Sequence, residues 1–520
     1  MTIVNRDKNT TRTFISFRIP ASHSYGIMKI LLVQPPHYFD GGGRVPENFP
    51  LGLGYIARIL LDKGHKVESL DIWAHQYKNN EVLDQIRAID CDTVGISALS
   101  TQYAYVKWLL KELRQRTDAP IVVGNALATL SPELVLNNTE ADVCVLGEGE
   151  ETFTEVVENM SRLESVQGIA YKEDRRILKT PRREHIRDLD TVGFPAWDTF
   201  PVEVYLKNCQ VEGTKPALNL ISGRGCPYRC AFCSKTLSGT RQRSVDNIIE
   251  EIKTLIDKYH IRAVFFNDEL VVTSKKRAYE LCEKIEPLKL KWICNGRTNL
   301  VDLPLLKRMR KAGCQVIGLG VESGSQAILD NMNKQVALQQ SKMALTNTMK
   351  AGLRPVVFMM YGYLGENKKT VAETVKFFRE LPYIGTHIVP FAITTPLPGT
   401  PLYDMCIEKG LIRNEEEYLE GLSSGYSDYQ REMKRSFVNL TEFSDEEFFR
   451  FKHTMEEQIV GDQIRGHPLQ YLFNRQWLSI VLKETIGNHG YLKGTMRLSR
   501  AFLGRLLRLW GALNAKQQFV

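Results

Sequence analysis

Apolar and polar positions along the chain follow two alternating periods. From residue 29, short β-branched runs (KILLVQPP, KVESLDI, DTVGISAL, PIVVGNAL and DVCVLGEGE) are separated by stretches at 50–65, 80–89, 101–116 and 151–160 with a helical reading. Five such runs alternating with helices predict a doubly wound parallel sheet over 29–160. Ligands of such sheets bind beyond the carboxyl ends of the strands. There the chain carries Pro35-Pro36, Ser97, Gly124-Asn125 and Gly147-Glu148-Gly149-Glu150, small or polar residues that let a ligand approach the backbone. By pattern alone this is equally an ordinary flavodoxin-like or nucleotide-binding domain.

A second alternating region spans 215–403, with ALNLISG, RAVFFND, LKWICNG, CQVIGLGVE, RPVVFMMYG and HIVPFAITTP as strands and helices such as VDNIIEEIKTLIDKYH between them. Six β/α units fall short of the eight that close a TIM barrel, so an open (β/α)6 partial barrel is expected. Residues 161–214 read as a linker containing a hairpin with a charged turn, GIAYKEDRRILKTP, and a Pro- and aromatic-rich strap, DLDTVGFPAWDTFP. Residues 1–28 form a polar arm, and 404–520 read as a mostly helical substrate or cap region. In the last helix Leu498, Phe502, Leu506, Leu509, Trp510 and Leu513 share one face, and Arg497, Arg500, Arg505 and Arg508 gather on the other. That composition suits a helix lying at a membrane surface, or one docked on the protein's own core with a solvated basic face.

The densest chemistry lies in GCPYRCAFCS, which packs Cys226, Cys230 and Cys233 into eight residues. Soft thiolates select zinc, copper(I) or iron-sulfur clusters. Structural zinc takes four ligands, usually as two pairs, and no second CxxC or HxxxH pair is present. An iron-sulfur cluster held by three cysteines leaves one iron open to a small molecule. A zinc site completed by a distant residue and three unrelated buried cysteines remain as alternatives.

Composition narrows the setting. The 520 residues are 43% hydrophobic and 25% charged, as in a globular chain of two or three domains. The net charge of +8 is mild and scattered; it gives little support to a nucleic-acid partner and fits anionic substrates or a membrane surface as well. The other seven cysteines lie singly in apolar segments and read as reduced core thiols. With no signal-peptide pattern and no apolar run of membrane-spanning length, a cytoplasmic location is expected.

The CxxxCxxC run, with Phe232 before its last cysteine, resembles the cluster motif of radical S-adenosylmethionine (SAM) enzymes. The resemblance implies that Cys226, Cys230 and Cys233 hold a 4Fe-4S cluster, that SAM chelates the fourth iron, and that an electron cleaves SAM to a 5'-deoxyadenosyl radical. It also implies that Asp268 and Glu269, at the end of the second strand, meet the SAM amino group. Arg297 in CNGRTN could pair with a carboxylate or be a solvent-exposed arginine. Glu322 and Ser323 in GVESGS resemble the family's ribose contact, and Gly362 and Gly365 in MMYGYLGE resemble the fifth-strand motif that seats adenine. TPLPGTPLY resembles the run that closes the barrel.

PLGLGYIA, VGISA, VVGNALATLSPE and LGEGEETF are similar to the signature of the cobalamin-binding domain that precedes many radical SAM domains. The resemblance implies bound cobalamin, with Ser97, Gly124, Asn125, Gly147 and Glu148 as candidate contacts. Relatives often carry Gly and His where this chain has Asn125 and Leu127. No DxHxxG follows the first strand and His37 has the wrong spacing, so no protein histidine is expected on cobalt. The implied function is a cobalamin-dependent radical SAM C-methyltransferase acting on an unactivated carbon of a small molecule or lipid, reduced by a donor such as flavodoxin or ferredoxin. A radical cyclase or rearrangement enzyme is the alternative. A non-catalytic iron-sulfur or cobalamin sensor has no need of a SAM pocket. No residue announces a catalytic acid or base.

Overall fold

The computed structural model describes residues 26–36, 45–87, 89–174, 176–237, 239–382, 391–422 and 436–467. The arm before residue 26, His37 and the basic helix near the C-terminus, with Arg497, Arg500, Arg505, Arg508 and Trp510, lie outside the described residues.

The first sheet has parallel strands β1 (Lys29–Gln34), β2 (Lys66–Asp71), β3 (Thr93–Ser97), β4 (Ile121–Gly124) and β5 (Val143–Val145) in the order β2-β1-β3-β4-β5. β1 is buried at five of its six positions, as expected of a parallel strand covered on both faces. Its side chains divide by parity. Ile30 and Leu32 pack with Leu53, Phe153 and Val156 from helices Leu51–Asp62 and Gly149–Glu158. Leu31 and Val33 pack on the other face with Val82, Val106 and Leu109 from helices Asn79–Ile86 and Tyr103–Arg114.

The expected hairpin forms as β6 (Ile169–Glu173) and β7 (Arg176–Lys179), but β6 pairs antiparallel with β5. It extends the first sheet to seven strands rather than standing free in a linker. The aromatic strap serves as mortar. Phe49 meets Trp197, Phe200 and Tyr205 at ring-centroid distances of 4.5, 5.6 and 5.6 Å. The Asn219 side chain, on the first strand of the second sheet, accepts from Phe49 N at 2.7 Å and donates to Phe49 O at 3.0 Å. Polar satisfaction and aromatic burial thus join the two sheets at their interface.

The second sheet is wholly parallel. Its strands are β8 (Ala217–Leu220), then β11 (Ala263–Phe266), β12 (Lys291–Gly296), β13 (Cys314–Glu322), β14 (Arg354–Tyr361) and β15 (Ala392–Ile393), in sequence order across the sheet with β8 and β15 as open edges. Between β8 and β11, β9 (Gly223–Arg224) and β10 (Arg241–Gln242) form a two-residue antiparallel ladder. On β14, Val357 and Met359 are buried at 0% and 2% exposure while Phe358 between them is 40% exposed. Strand alternation therefore sends one set toward the helical layer and the other into the concave interior.

The C-terminal helices span both units. Helix Glu415–Leu422 meets the first through Lys107, which bridges Glu416 and Glu420 at 2.7 Å each. Helix Asp445–Gly466 places Phe448 against Tyr361 of β14 with ring centroids 4.8 Å apart. No helix among the described residues is long and apolar enough to cross a membrane.

Candidate active site between the two sheets

Residues 225–240 form a loop closed at its neck by β9 and β10. Gly225 has φ +79°, and a Cβ there would stand 2.4 Å from Gly239 O, so both conformation and space demand glycine. The loop is anchored from outside. Ala231 N donates to Met332 O at 2.9 Å, Asn333 Nδ2 to Arg229 O at 2.7 Å, and Ser234 Oγ to Pro398 O at 3.1 Å. Leu402 N donates to Ala231 O at 3.2 Å. The TPLPGTPLY run thus supports the cysteine loop directly.

Cys226, Cys230 and Cys233 all line a cavity of about 270 Å³ whose opposite walls are Glu269, Arg297, Glu322, Lys334 and Phe358. Among the described residues no three His, Cys, Asp or Glu side chains are placed to hold a single metal ion. Cys230 is pushed down to about 5 by the hydrogen bond from Cys233, with Arg297 and Lys334 adding positive charge against the opposing effect of burial. Cys233 moves in the opposite direction, because it supplies that hydrogen bond.

Arg297 is buried at 6% exposure. It donates through Nη1 to Cys230 Sγ at 3.6 Å, and its guanidinium lies 3.6 Å from the Tyr228 ring centroid. Among the described residues its Nε and Nη2 are buried without hydrogen-bond partners. Orphaned donors of this kind cost on the order of 1–3 kcal/mol unless a ligand satisfies them. The solvent-exposed alternative for Arg297 is thereby corrected: the end of β12 turns this side chain inward.

Glu322 sits at a register shift between β13 and β14 with φ +67°, an uncommon conformation for a non-glycine residue. Its carboxylate accepts from Lys334 Nζ at 2.7 Å. A Cβ on Gly320 would come within 2.3 Å of that carboxylate and 2.9 Å of the ammonium, so a glycine leaves room for the pair. Lys334 also lies 5.7 Å from the Phe232 ring centroid.

Of the residues expected around SAM, Glu269, Arg297 and Glu322 reach the cavity. The others stand behind it. Both Asp268 carboxylate oxygens accept from Ser222 N, at 2.9 and 3.0 Å, and one accepts from Ser222 Oγ at 2.9 Å. Burial raises Asp268 to about 6 against these hydrogen bonds. Ser323 Oγ accepts from Ser325 N at 3.1 Å. Gly362 and Gly365 have φ +90° and +85°; the first packs under Phe448, and its N–H donates to Glu366 Oε2 at 2.5 Å. Phe232 packs edge-on against Tyr363 at 6.4 Å. Sequence reading missed Lys334 and Phe358. For Lys334 the available signal was a cation in NMNKQ, twelve residues after Glu322, in a turn where Asn333 and Gln335 take positive φ.

A second cavity, of about 490 Å³, lies at the carboxyl ends of the first sheet and is closed from the other side by Ile221 and Asn267, which follow β8 and β11 of the second sheet, and by Gly223 of β9. Ser97, Gly124, Asn125, Gly147 and Glu148 all line it. Asn125 takes φ +69°, the left-handed conformation that glycine adopts freely and asparagine tolerates, and its amide donates to Ser97 Oγ at 3.1 Å. The replacement of Gly by Asn125 therefore preserves the backbone path. Leu127 is buried in the core. A Cβ at Gly147 would meet nothing within 4 Å and one at Gly124 would meet its nearest atom at 3.9 Å, so these glycines hold space open. A glycine-lined crescent over strand ends fits a bulky amide-rimmed macrocycle such as cobalamin; the described residues that line it include no histidine.

Glu148 faces a different task from the other four. Its carboxylate accepts from Arg224 Nη1 at 2.6 Å, from Arg241 Nη1 at 2.8 and 3.0 Å, and from Ile186 N at 2.9 Å. Those hydrogen bonds hold its pKa below the ordinary carboxylate value although burial opposes them.

Residues 44–157 match the B12 binding domain family and residues 220–378 the Radical SAM superfamily. An uncharacterized methyltransferase of Pyrococcus horikoshii is 32% identical over 497 residues, spanning 93% of this chain and 99% of that protein. The anaerobic magnesium-protoporphyrin IX monomethyl ester cyclase of Rubrivivax gelatinosus is 27% identical over 408 residues, 75% of this chain and 72% of the cyclase. The solved structure of the cobalamin-dependent SAM radical enzyme OxsB with aqua-cobalamin and SAM bound superposes with a TM-score of 0.65 at 17% identity, covering 95% of this chain and 82% of that one. Fold and matches define the class: radical SAM proteins with an N-terminal cobalamin-binding domain. The chain belongs to the family of cobalamin-binding radical SAM enzymes, in its methyltransferase-like class. It is an enzyme whose cofactors are a 4Fe-4S cluster, SAM and cobalamin.

Proposed function

We propose that the enzyme is a C-methyltransferase that acts on an unactivated carbon of a small molecule or lipid. The observation that carries this reading is a shared wall: Thr236, Leu237 and Glu269 line both cavities. A substrate lodged there would lie within reach of both cofactors without leaving the protein. When bound, the cluster and SAM supply a carbon radical for hydrogen abstraction, and cobalamin supplies the methyl group.

In this reading Cys226, Cys230 and Cys233 ligate the cluster. Arg297, with two unsatisfied donors, and Lys334 receive the SAM carboxylate; Glu269 receives its amino group and Glu322 its ribose hydroxyls. Asp268, Ser323, Gly362, Gly365 and Phe232 shape the walls from behind. Leu237, Leu270 and Phe358 present apolar surface that keeps water from the reacting atoms. Ser97, Gly124, Asn125 and Gly147 cradle cobalamin. Residues 29–160, extended by the hairpin at 169–179, serve as its domain, the rest of 161–214 as the connection, 215–403 as the radical SAM barrel and 404–520 as the substrate and cap region. The reductant is a flavodoxin- or ferredoxin-like donor, and the basic segment near the C-terminus gives peripheral contact with anionic lipid.

The cyclase among the relatives supports a second reading, in which the radical closes a ring without methylation. The match to a methyltransferase over nearly the whole of both chains favours methyl transfer. Cells supplied with methyl-deuterated methionine, with the wild type or with Cys230→Ala, separate the two. The expected result is a metabolite or lipid that carries the intact trideuteromethyl group on carbon only with the wild type. A product dependent on the wild type that carries no label would overturn methyl transfer in favour of cyclisation.

A further inference from the structure

The cysteine loop and the glutamate-rich loop of the first sheet are pinned together by side chains that ligate no cofactor in the reading above. Arg224 closes β9, two residues before Cys226, and Arg241 opens β10 at the other stem of the same loop. Both donate to Glu148, and Arg224 Nη2 also donates to Glu150 at 2.6 Å. One guanidinium therefore spans two carboxylates of the Gly147–Glu150 stretch, all four residues of which line the larger cavity. The side chains are withdrawn from water, at 11% exposure for Arg224, 6% for Glu148 and 5% for Glu150. Tyr55 backs the Arg224 guanidinium at 5.3 Å.

Stability alone is a poor account of such a cluster, because buried ion pairs are often neutral against apolar replacements of similar volume. What a planar two-pronged donor adds is geometry. Here that geometry relates the loop carrying the cluster thiols to the loop under the larger cavity, across the boundary between the two sheets. We propose that Arg224, assisted by Arg241, is a positioning residue that sets the separation of the cluster from cobalamin. The inference rests on the assignment of the two cavities made above. Arg224→Lys keeps one positive charge but cannot bridge Glu148 and Glu150 together, so cofactors should load while their separation relaxes. A misplacement of about 1 Å at a reacting centre can cost on the order of 100-fold in rate.

The test uses the full-length protein carrying both cofactors, with cobalamin in its paramagnetic cobalt(II) state. Microwave power saturation of the cobalt signal is measured with the cluster oxidised and reduced, because a nearby paramagnetic cluster speeds relaxation of the cobalt spin. In the wild type, reduction should raise the saturation power. In Arg224→Lys, with iron and cobalamin contents unchanged, that response should fall severalfold, and Arg241→Gln should show a smaller fall. Trideuteromethyl product per 5'-deoxyadenosine formed should decline in the same order. If Arg224→Lys does not fold, Arg241→Gln decides by the same readout. A response equal to that of the wild type in a loaded variant, or loss of either cofactor from it, overturns the positioning role. Absence of any response in the wild type instead overturns the two-cavity assignment.

Discussion

The two cavities are built on opposite principles. The larger is walled by strand ends and glycines, and Glu148 and Glu150, its acidic corner, are already matched by Arg224 and Arg241. The smaller holds a buried guanidinium with two idle donors, a buried Glu322–Lys334 pair and thiols of displaced acidity. Shape and backbone access dominate the first; unsatisfied charge dominates the second. A macrocycle needs room more than it needs ions, whereas a zwitterionic ligand on a cluster needs counter-charges in fixed places. Substitutions should therefore act through volume in one cavity and through charge in the other.

The largest effect is expected from Cys230→Ala. Removal of one of three thiolates should take iron content after anaerobic reconstitution to background and abolish reductive SAM cleavage, while hydroxocobalamin still binds. Retained iron at wild-type stoichiometry would show that Cys230 is no ligand. Next is Arg297→Gln, measured by SAM binding to the cluster-loaded protein. Loss of charge-assisted hydrogen bonds worth ~1.5 to 3 kcal/mol should weaken binding roughly ten- to a hundredfold and leave cobalamin affinity alone. Equal weakening of both ligands would erase the distinction between the cavities.

The complementary substitution is Gly124→Leu. Gly124 has extended backbone and open space beyond its Cα, so a larger side chain should obstruct the larger cavity without backbone strain. A cobalamin titration should show affinity reduced about tenfold or more, since even one or two misplaced methylenes in a fitted site cost ~1–3 kcal/mol, with iron loading unchanged. Undiminished cobalamin affinity would move the macrocycle elsewhere.

The smallest effect concerns the Gly362 turn, which stands behind the smaller cavity. Burial raises the Glu366 carboxyl from 4.5 to about 7 although the N–H groups of Gly362 and Tyr363 oppose the shift. The folded protein then binds more protons than the unfolded chain between those values, so this contribution to stability is complete below pH 4.5 and lost as pH rises to about 7. Thermal melts should show the wild type losing ground to Glu366→Gln across that window, with SAM affinity nearly equal in the two. A large SAM defect in Glu366→Gln would place the turn inside the ligand site.

Much of this organisation is visible in the one-dimensional pattern. Strand alternation and helical spacing are local properties, and they mark out both parallel sheets and the open barrel. The cysteine run is compact enough to be recognised without a partner. What escapes is set by tertiary contact. Asp268 and Glu269 are neighbours in sequence, yet the end of β11 turns one beneath Ser222 and the other into the junction of the cavities. Lys334 joins Glu322 only because helix Gln326–Asn331 folds the chain back after β13. Glu148 resembles its loop neighbours until Arg224 and Arg241 arrive from the second sheet. The hairpin at 169–179 looks independent because a pairing strand edge cannot be read from its own residues.

The most direct test of two cavities sharing one wall is an anaerobic crystal structure of the enzyme loaded with the cluster, SAM and cobalamin. The expected density places the cluster on Cys226, Cys230 and Cys233, the SAM carboxylate at Arg297, and the corrin over Ser97, Gly124, Asn125 and Gly147, with Thr236, Leu237 and Glu269 between the two ligands. Cobalamin bound away from that crescent, or a folded segment interposed between the corrin and SAM, would contradict it.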